Sequence, residues 1–253
     1  MHKLAVMLTK GGTGKTTTAV NLGHGLALAG LRVLLIDADT SGAAGRALGV
    51  RAARSWAEIV SGSARAADVL TEARPGLWLA PGGQSLASVK REIARRDMAS
   101  ERVLAEALAP LGDRFDVAIV DAAPGWDSLT VNVLFYADDV LAPCALEVLA
   151  VYGLADFVQR IETVRRYRPG LGLRYVLPTF YDRRVAKSEE LRAQLAARFG
   201  AVLLAPIRYN VRLSEAAGFG QSIFEYAPKS TGAADYAALA ERIGGDYAAH
   251  ANA

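Results

Sequence analysis

The stretch Lys-Gly-Gly-Thr-Gly-Lys-Thr-Thr-Thr, residues 10–18, decides how the rest of this chain is organised. An apolar run precedes it at residues 4–8 and a helix-like run follows it at residues 16–28, so the order is strand, glycine loop, helix. The stretch fits the phosphate-loop pattern G-x-x-x-x-G-K-[ST] if Lys10 stands in for the first glycine. Backbone N–H groups in such a loop point at phosphate oxygens, and the positive end of the following helix points to the same place. The sequence therefore predicts a nucleotide-phosphate site.

Each residue of this loop has a predicted role. Lys15 is expected to reach the β and γ phosphates, the Thr16 hydroxyl to hold Mg²⁺, and Thr17 to touch the α phosphate. A glycine-rich turn that binds nothing is the alternative, and the order strand, loop, Gly-Lys-Thr, helix argues against it. The predicted nucleotide-binding residues of the loop are Gly11, Gly12, Thr13, Gly14, Lys15, Thr16 and Thr17.

Two further apolar runs end in acids. Asp37 and Asp39 close the run at residues 32–39, and Asp121 closes the run at residues 115–121. Ligands in parallel sheets lie beyond the carboxyl ends of the strands, so these acids should lie beside the phosphate loop. An apolar strand ending in aspartate is the Walker B pattern, in which the acid holds Mg²⁺ through water. The predicted metal residues are Thr16, Asp37 and Asp121.

The fold class predicted from these runs is α/β, a doubly wound and mostly parallel sheet with helices on both faces. Further strands are expected at residues 77–81, 139–143, 173–179 and 202–205, and helices at residues 100–108, 151–166 and 188–199. Residues 42–110 are the least informative part of the chain. Within them, Arg91, Arg95 and Arg96 are interpreted as a solvated helix face, with DNA contact as the alternative.

Composition limits the classes of protein that fit. The 253 residues suit one domain spanning residues 1–253, and 52% of them are hydrophobic. A net charge of +3 permits nucleic-acid binding without demonstrating it. Cys144 is the only cysteine, so no disulfide forms within the chain, and this cysteine is expected to be buried. No apolar stretch approaches 18 residues and no signal peptide is recognised, so a cytoplasmic protein is expected.

Three stretches together resemble one family. The loop with its additional lysine, Lys10, is similar to the deviant Walker A loop of the ParA/MinD family of dimeric ATPases. Asn-Val-Arg-Leu-Ser-Glu-Ala at residues 210–216, and the run from Tyr226 to Tyr236, resemble the C-terminal runs of chromosomal, Soj-type ParA proteins. The resemblance covers nearly the whole chain except about residues 42–110.

The resemblance implies ATP and Mg²⁺ as cofactors and gives roles to residues that spacing alone leaves unassigned. Lys10 would reach across a dimer interface to the partner's nucleotide, and Asp39 would orient the attacking water. The predicted catalytic residues are Lys10, Lys15 and Asp39. The purine would be contacted partly by the segment containing Arg208 and Asn210. DNA would be contacted by Arg184 and Arg212. The alternative for each of these two is a surface arginine that is paired with an acid such as Glu215. The iron-protein branch of the family needs two cysteines per subunit and is excluded.

The function implied is that of a partitioning ATPase. ATP would close a homodimer, the dimer would bind double-stranded DNA nonspecifically, and a ParB-like activator would stimulate hydrolysis on the nucleoid. One alternative is an orphan ParA-like ATPase that positions a protein cargo, which has the same chemistry. A MinD-like membrane ATPase is a weaker alternative, because residues 236–253 lack the bulky apolar face of a membrane-binding helix, so no membrane partner is expected. The short segment before the first strand leads us to expect no helix-turn-helix extension.

Overall fold

The computed structural model describes residues 1–112 and 114–251, and a sheet of seven strands forms the centre of this part. Its strand order is β3-β4-β2-β5-β1-β6-β7, and every neighbouring pair is parallel except β3 and β4. The strands are β1 (His2–Val6), β2 (Val33–Ala38), β3 (Thr71–Arg74), β4 (Leu77–Ala80), β5 (Val117–Ala122), β6 (Asp139–Ala145) and β7 (Gly172–Thr179).

Helices cover both faces of the sheet, because alternate side chains of each buried strand point to opposite sides. In β1, Leu4 and Val6 belong to one core cluster and Ala5 to the other. The predicted fold class is confirmed. The helices are α1 (Lys15–Leu28), α2 (Ala43–Ala47), α3 (Ala57–Val60), α4 (Ala66–Val69), α5 (Leu86–Arg95), α6 (Val103–Leu108), α7 (Ser128–Tyr136), α8 (Val148–Arg165), α9 (Ala186–Phe199), α10 (Val211–Gly218), α11 (Ile223–Tyr226) and α12 (Thr231–Ala251).

The register of the central strands brings the loop and the acids to one edge. Val6, which ends β1, pairs with Asp121 of β5, and Asp121 pairs with Asp37 of β2. The phosphate loop begins just after Val6. The carboxyl ends of the three strands therefore place the loop beside both aspartates, as expected for a ligand site in a parallel sheet.

The strand predicted at residues 202–205 is wrong. This segment begins with a 3₁₀ turn, Gly200–Val202, and then runs beside β7 with a single bridge between Leu203 and Val176. Two N–H groups in residues 203–207 do donate to β7. Leu204 N–H donates to the Val176 carbonyl and Ile207 N–H to the Pro178 carbonyl, both at 2.9 Å. Proline has no N–H, so Pro178 and Pro206 cannot complete the ladder.

The segment that the sequence left undefined contains α2 to α6 and the β3–β4 pair, and it packs against the end of β2. Trp56 is fully buried, and its indole N–H donates to the Asp37 carbonyl at 2.9 Å. The helix predicted at residues 100–108 begins with a 3₁₀ turn, Ser100–Arg102, before α6. Arg91 and Arg95 are exposed, which fits a solvated face, while Arg96 pairs with Glu92 and Glu106.

Cys144 is buried in β6, as expected. None of the helices in the described part of the chain is long and apolar enough to cross a membrane. Residues 252 and 253 of the predicted tail lie outside the described residues.

Candidate functional site

The phosphate loop has the backbone that its glycines allow. Gly12 and Gly14 have φ angles of 74° and 88°, in the left-handed region that side chains disfavour. Gly14 is also the N-cap residue of α1, directly before Lys15. Two neighbouring segments fix the loop: Gly125 N–H donates to the Thr9 carbonyl and the Thr179 hydroxyl donates to the Thr13 carbonyl, both at 2.9 Å. The loop is therefore held in a curled form at the positive end of α1.

The two lysines of the loop have different environments. Lys15 is 7% exposed, and its Nζ donates to the Lys10 carbonyl at 2.9 Å. Burial lowers the pKa of Lys15, and the negative charges of Asp121 and Asp39 partly oppose that shift. The Lys10 residue is exposed on the surface. The Lys15 side chain is thus directed into the site, while the exposed Lys10 side chain can contact another molecule.

Asp37 and Asp121 are both fully buried but are not equivalent. One oxygen of Asp37 accepts from Asp39 N–H and the other from Ala44 N–H, each at 3.0 Å. Burial is the main cause that raises the pKa of Asp37 to about 6.

Asp121 has both oxygens buried without a hydrogen-bond partner of standard geometry among the described residues. The Thr16 hydroxyl is near enough to lower its pKa, but burial and then the charge of Asp37 dominate and raise the pKa to about 8. A buried carboxylate without a partner is costly, so this carboxylate is suited to receive a cation.

Asp39 lies half-buried in the loop after β2. One oxygen of its carboxylate accepts from Ser41 N–H at 2.8 Å, and its carbonyl accepts from Gly42 and Gly83 N–H, both at 3.0 Å. The loop after β4 therefore fixes the loop that contains Asp39.

Gly82 lies just after β4, and the sequence alone assigned it no role in the site. A Cβ at this position would lie 2.4 Å from the Asp37 carbonyl oxygen, and 2.9 Å from both Asp37 Oδ1 and the Asp39 carbonyl oxygen. Only glycine permits this close approach. One indication of its position was present in the sequence. Gly82 follows the strand predicted at residues 77–81, and the carboxyl end of a parallel strand lies at the same edge of the sheet as the phosphate loop.

A cavity of about 380 Å³ opens beside Gly14 and Thr17, at the side of the phosphate loop. Its mostly apolar walls come from the end of β7, from α10 and from α12. Arg208 and Asn210, the two residues named for the predicted base segment, both line it. The lining also includes Thr179, Phe180, Ile207, Tyr209, Val211, Leu213, Ser214, Ala217 and Tyr236.

The side chains of Arg208 and Asn210 already have partners within the subunit. The Arg208 guanidinium donates to the Asp235 carboxylate, with a closest distance of 2.5 Å. Asn210 accepts from Arg212 N–H at 3.0 Å, which caps α10, and donates to the Thr231 hydroxyl at 3.0 Å. Their predicted role in base binding stays a prediction, and the structure gives each residue a structural role as well.

The two arginines predicted to contact DNA are exposed and lie on adjacent segments. Tyr209 N–H donates to the Tyr181 carbonyl at 2.8 Å, so the loop before α9 runs beside the segment that leads into α10. The Arg184 side chain is 81% exposed and pairs with Asp182 at 2.7 Å. The Arg212 side chain is 55% exposed and pairs with Glu215 at 2.9 Å. Both arginines therefore face solvent, but each is already paired with an acid.

Comparison with known proteins agrees with this arrangement. A protein-family model described as an AAA domain matches residues 1–171. The chromosome-partitioning ATPase Soj of Thermus thermophilus is 39% identical over 96% of this chain and 95% of its own length. The chromosome partitioning protein ParA of Caulobacter vibrioides is 38% identical over 96% and 94%. A solved structure of cobyrinic acid a,c-diamide synthase from Mycobacterium smegmatis, with bound ATP analog and magnesium, superposes with a TM-score of 0.81 at 33% identity and covers 95% of this chain and 93% of that one.

Proposed function

The chain belongs to the ParA and Soj family of chromosome-partitioning ATPases, and on that premise we propose that it is a Mg²⁺-dependent ATPase whose ATP-bound homodimer holds DNA and segregates a plasmid or chromosome. The observation that carries the Mg²⁺-dependent ATPase part of this proposal is the buried carboxylate of Asp121, which has no hydrogen-bond partner of standard geometry among the described residues and lies close to Thr16 and Lys15. We regard the whole chain as a single ATPase domain.

The residues around Asp121 fit a magnesium ion bound together with a triphosphate. Mg²⁺ prefers hard oxygen ligands and usually binds through one or two carboxylates, waters and substrate phosphates. Thr16 and Asp121 would hold it, and Asp37 would lie near its waters. Bound there, Mg²⁺ would neutralise negative charge on the β and γ phosphates.

Lys15 and the loop glycines would bind the phosphates themselves. The Nζ of Lys15 donates to the Lys10 carbonyl at 2.9 Å, and a phosphate oxygen is a stronger, charged acceptor for the same group. We propose that Lys15 turns from this carbonyl to the β and γ phosphates. The N–H groups of residues 11–17 would bind the remaining phosphate oxygens.

Asp39 is the proposed residue that orients the attacking water. Its loop is tied to the loop after β4 through Gly83, and one of its oxygens is already used by Ser41 N–H. The other oxygen would hold the water in line with the γ phosphate.

Lys10 is the proposed contact to the second subunit. It is exposed, and α8 passes close to it, since a Cβ on Gly153 would lie 3.6 Å from Lys10 Cβ. Three exposed apolar side chains occupy the first turns of α8, namely Val148, Leu149 and Tyr152. Apolar side chains around an exposed cation favour a face that is covered by another protein surface.

DNA would be bound by Arg184 and Arg212 of both subunits. The net charge is only +3, so nonspecific binding needs a local patch of cations. Joining two subunits doubles that patch, which would make DNA binding steeply dependent on ATP. A ParB-like activator would stimulate hydrolysis and release the dimer, and a cytoplasmic, nucleoid-associated protein is the expected result.

The two alternative functions remain distinguishable. A cargo-positioning ATPase would use the same site, so only its partner protein separates it from a partitioning ATPase. A MinD-like membrane cycle needs a free amphipathic helix, but α12 packs Tyr236, Leu239 and Ile243 into the core against α1. Of the two, the cargo alternative is therefore the stronger.

Charge reversal at the two arginines tests the proposal. With ATP, Arg184→Glu and Arg212→Glu should dimerise as the wild-type protein does, because neither residue touches the phosphate site, while DNA binding at moderate salt should be nearly lost. Light-scattering mass and DNA gel shift would be measured on the same samples. Arg165→Glu is the matched control, since Arg165 is also exposed and paired with an acid three residues away. Dimers of both variants that still bind DNA as wild type does would refute the DNA surface.

A further inference from the structure

Phe180 has a strained backbone that its neighbours maintain. Its φ angle is 56°, and the one other positive φ outside glycine in the described ranges 1–112 and 114–251 belongs to Ala99. A left-handed conformation is rare for a bulky residue and costs free energy unless the surroundings enforce it. They do so here: Leu146 N–H donates to the Thr179 carbonyl and Tyr181 N–H donates to the Ile207 carbonyl, both at 3.1 Å. The strain is thus fixed by hydrogen bonds on either side of Phe180.

The strained backbone directs the Phe180 ring to the nucleotide side of the phosphate loop. A Cβ on Gly14 would lie 3.9 Å from Cε2 of the ring, so the ring reaches the N-cap residue of α1. The residue is still 44% exposed. It forms part of the wall of the 380 Å³ cavity beside Thr17. An aromatic face is therefore available at the rim of that cavity.

The polar side chains expected to recognise the base are occupied. Arg208 is bound by Asp235, and both polar atoms of the Asn210 side chain are used within the subunit. These bonds fix the direction of both side chains, so Asn210 and Arg208 can offer a base only the N–H groups and lone pairs that the bonds leave over. The apolar wall of the cavity is not restricted in this way.

We infer that Phe180 stacks on the nucleobase of the bound nucleotide and is a determinant of affinity for the base. This inference rests on the proposed function, since it assumes that the loop binds ATP. Loss of the stacked aromatic ring should weaken binding of the nucleotide roughly tenfold in Kd, which is about 1.4 kcal/mol. The backbone strain at Phe180 then has a use, because it orients the ring toward the ligand.

Titration calorimetry with two ligands separates base contact from phosphate contact. In the presence of Mg²⁺, Phe180→Ala should bind ATP about tenfold more weakly than wild type, while its affinity for inorganic tripolyphosphate should be unchanged. Phe180→Tyr keeps the aromatic face and should bind ATP nearly as wild type does. Glycine adopts a positive φ without strain, so Phe180→Gly should bind ATP as weakly as the alanine variant does. The glycine variant replaces the alanine variant if alanine prevents folding. Phe219→Ala is the control, since Phe219 is exposed, stacks on Tyr226 and does not line this cavity.

Each other outcome overturns the inference. Equal loss of ATP and tripolyphosphate affinity would mean that Phe180 supports the loop through Gly14 and does not contact the base. Unchanged ATP affinity in both the alanine and glycine variants would mean that the ring makes no useful contact. A wild-type protein that binds neither ligand would overturn the proposed function, and the inference with it.

Discussion

Gly82→Ala is the perturbation whose consequence the structure specifies most closely. The added methyl group would lie 2.4 Å from the Asp37 carbonyl oxygen, whereas ordinary contacts begin at 3.4 Å, so one of the two backbones must move by about 1 Å. The Asp37 carbonyl also accepts the buried Trp56 indole N–H, so a shift at Asp37 disturbs that bond. Asp39 would be displaced as well, because its carbonyl oxygen would be 2.9 Å from the new methyl group.

The expected effects on stability and on hydrolysis can be separated. Overpacking of this kind costs about 1–3 kcal/mol in free energy of unfolding, or a fall in Tm of roughly 3–10 °C for a chain of this length. A misplacement of about 1 Å at the residue that orients the water should slow hydrolysis about 100-fold. ATP affinity should stay within about threefold of wild type, because the atoms nearest to the new methyl group belong to Asp37 and Asp39 and not to the phosphate loop.

Thermal unfolding, equilibrium ATP binding and single-turnover hydrolysis test this prediction together. Gly245→Ala is the control: Gly245 lies in α12, nothing is within 4 Å of its Cβ position, and alanine should slightly stabilise the helix. Wild-type hydrolysis at unchanged Tm in Gly82→Ala would refute the reasoning that this contact positions Asp39.

Four further predictions concern charged groups of the site and the DNA surface. Lys15→Ala should weaken ATP binding about 10–100-fold, because the charge that meets the phosphates is lost. Asp39→Ala should bind ATP and persist as a dimer, with hydrolysis slower by about 100-fold or more because the water is no longer oriented. Glu215→Gln should raise DNA affinity up to about fivefold by freeing Arg212 from its ion pair. Without metal or nucleotide, stability should fall as pH rises from about 4 to about 8. The folded chain retains a proton on Asp37 up to about pH 6 and on Asp121 up to about pH 8, and the unfolded chain releases both. Asp121→Asn should remove the slope above about pH 6 and be about 2 kcal/mol more stable at pH 8.

Each of these has a measurement and a contradicting result. Unchanged affinity for a fluorescent ATP analogue in Lys15→Ala, with Lys187→Ala as control, would remove the phosphate-loop assignment. Wild-type phosphate release in Asp39→Ala would exclude Asp39 as the residue that orients the water and make Asp37 the next residue to test. A gel shift in which Glu215→Gln binds DNA no better than wild type would mean that the ion pair does not compete with DNA. Denaturation curves with equal pH slopes for wild type and Asp121→Asn would exclude Asp121 as the source of the slope.

Local sequence was enough to predict the parts of the site that lie within single strand-to-loop junctions. The glycines of the phosphate loop come just after β1, Asp37 and Asp121 lie near the carboxyl ends of β2 and β5, and parallel strands bring these ends together. The same reasoning failed at residues 202–205, where an apolar run resembles a strand but Pro178 and Pro206 interrupt the ladder.

Features that depend on distant residues could not be predicted. Arg208 is bound by Asp235 and Asn210 by Thr231, contacts made across more than 20 residues of chain. Gly82 is constrained by Asp37, which the sequence places 45 residues earlier. Nothing in local pattern reveals such pairs, because they depend on which loops the sheet order places side by side.

The most direct test of the central claim is retention of the wild-type protein on nonspecific double-stranded DNA with ATP, with ADP and without nucleotide, each with Mg²⁺ at moderate salt. The proposed ATP-closed dimer predicts strong retention with ATP alone, and loss of that retention in Lys15→Ala. Equal retention in all three conditions, or none with ATP under conditions in which the protein hydrolyses it, would contradict an ATP-controlled DNA-binding dimer.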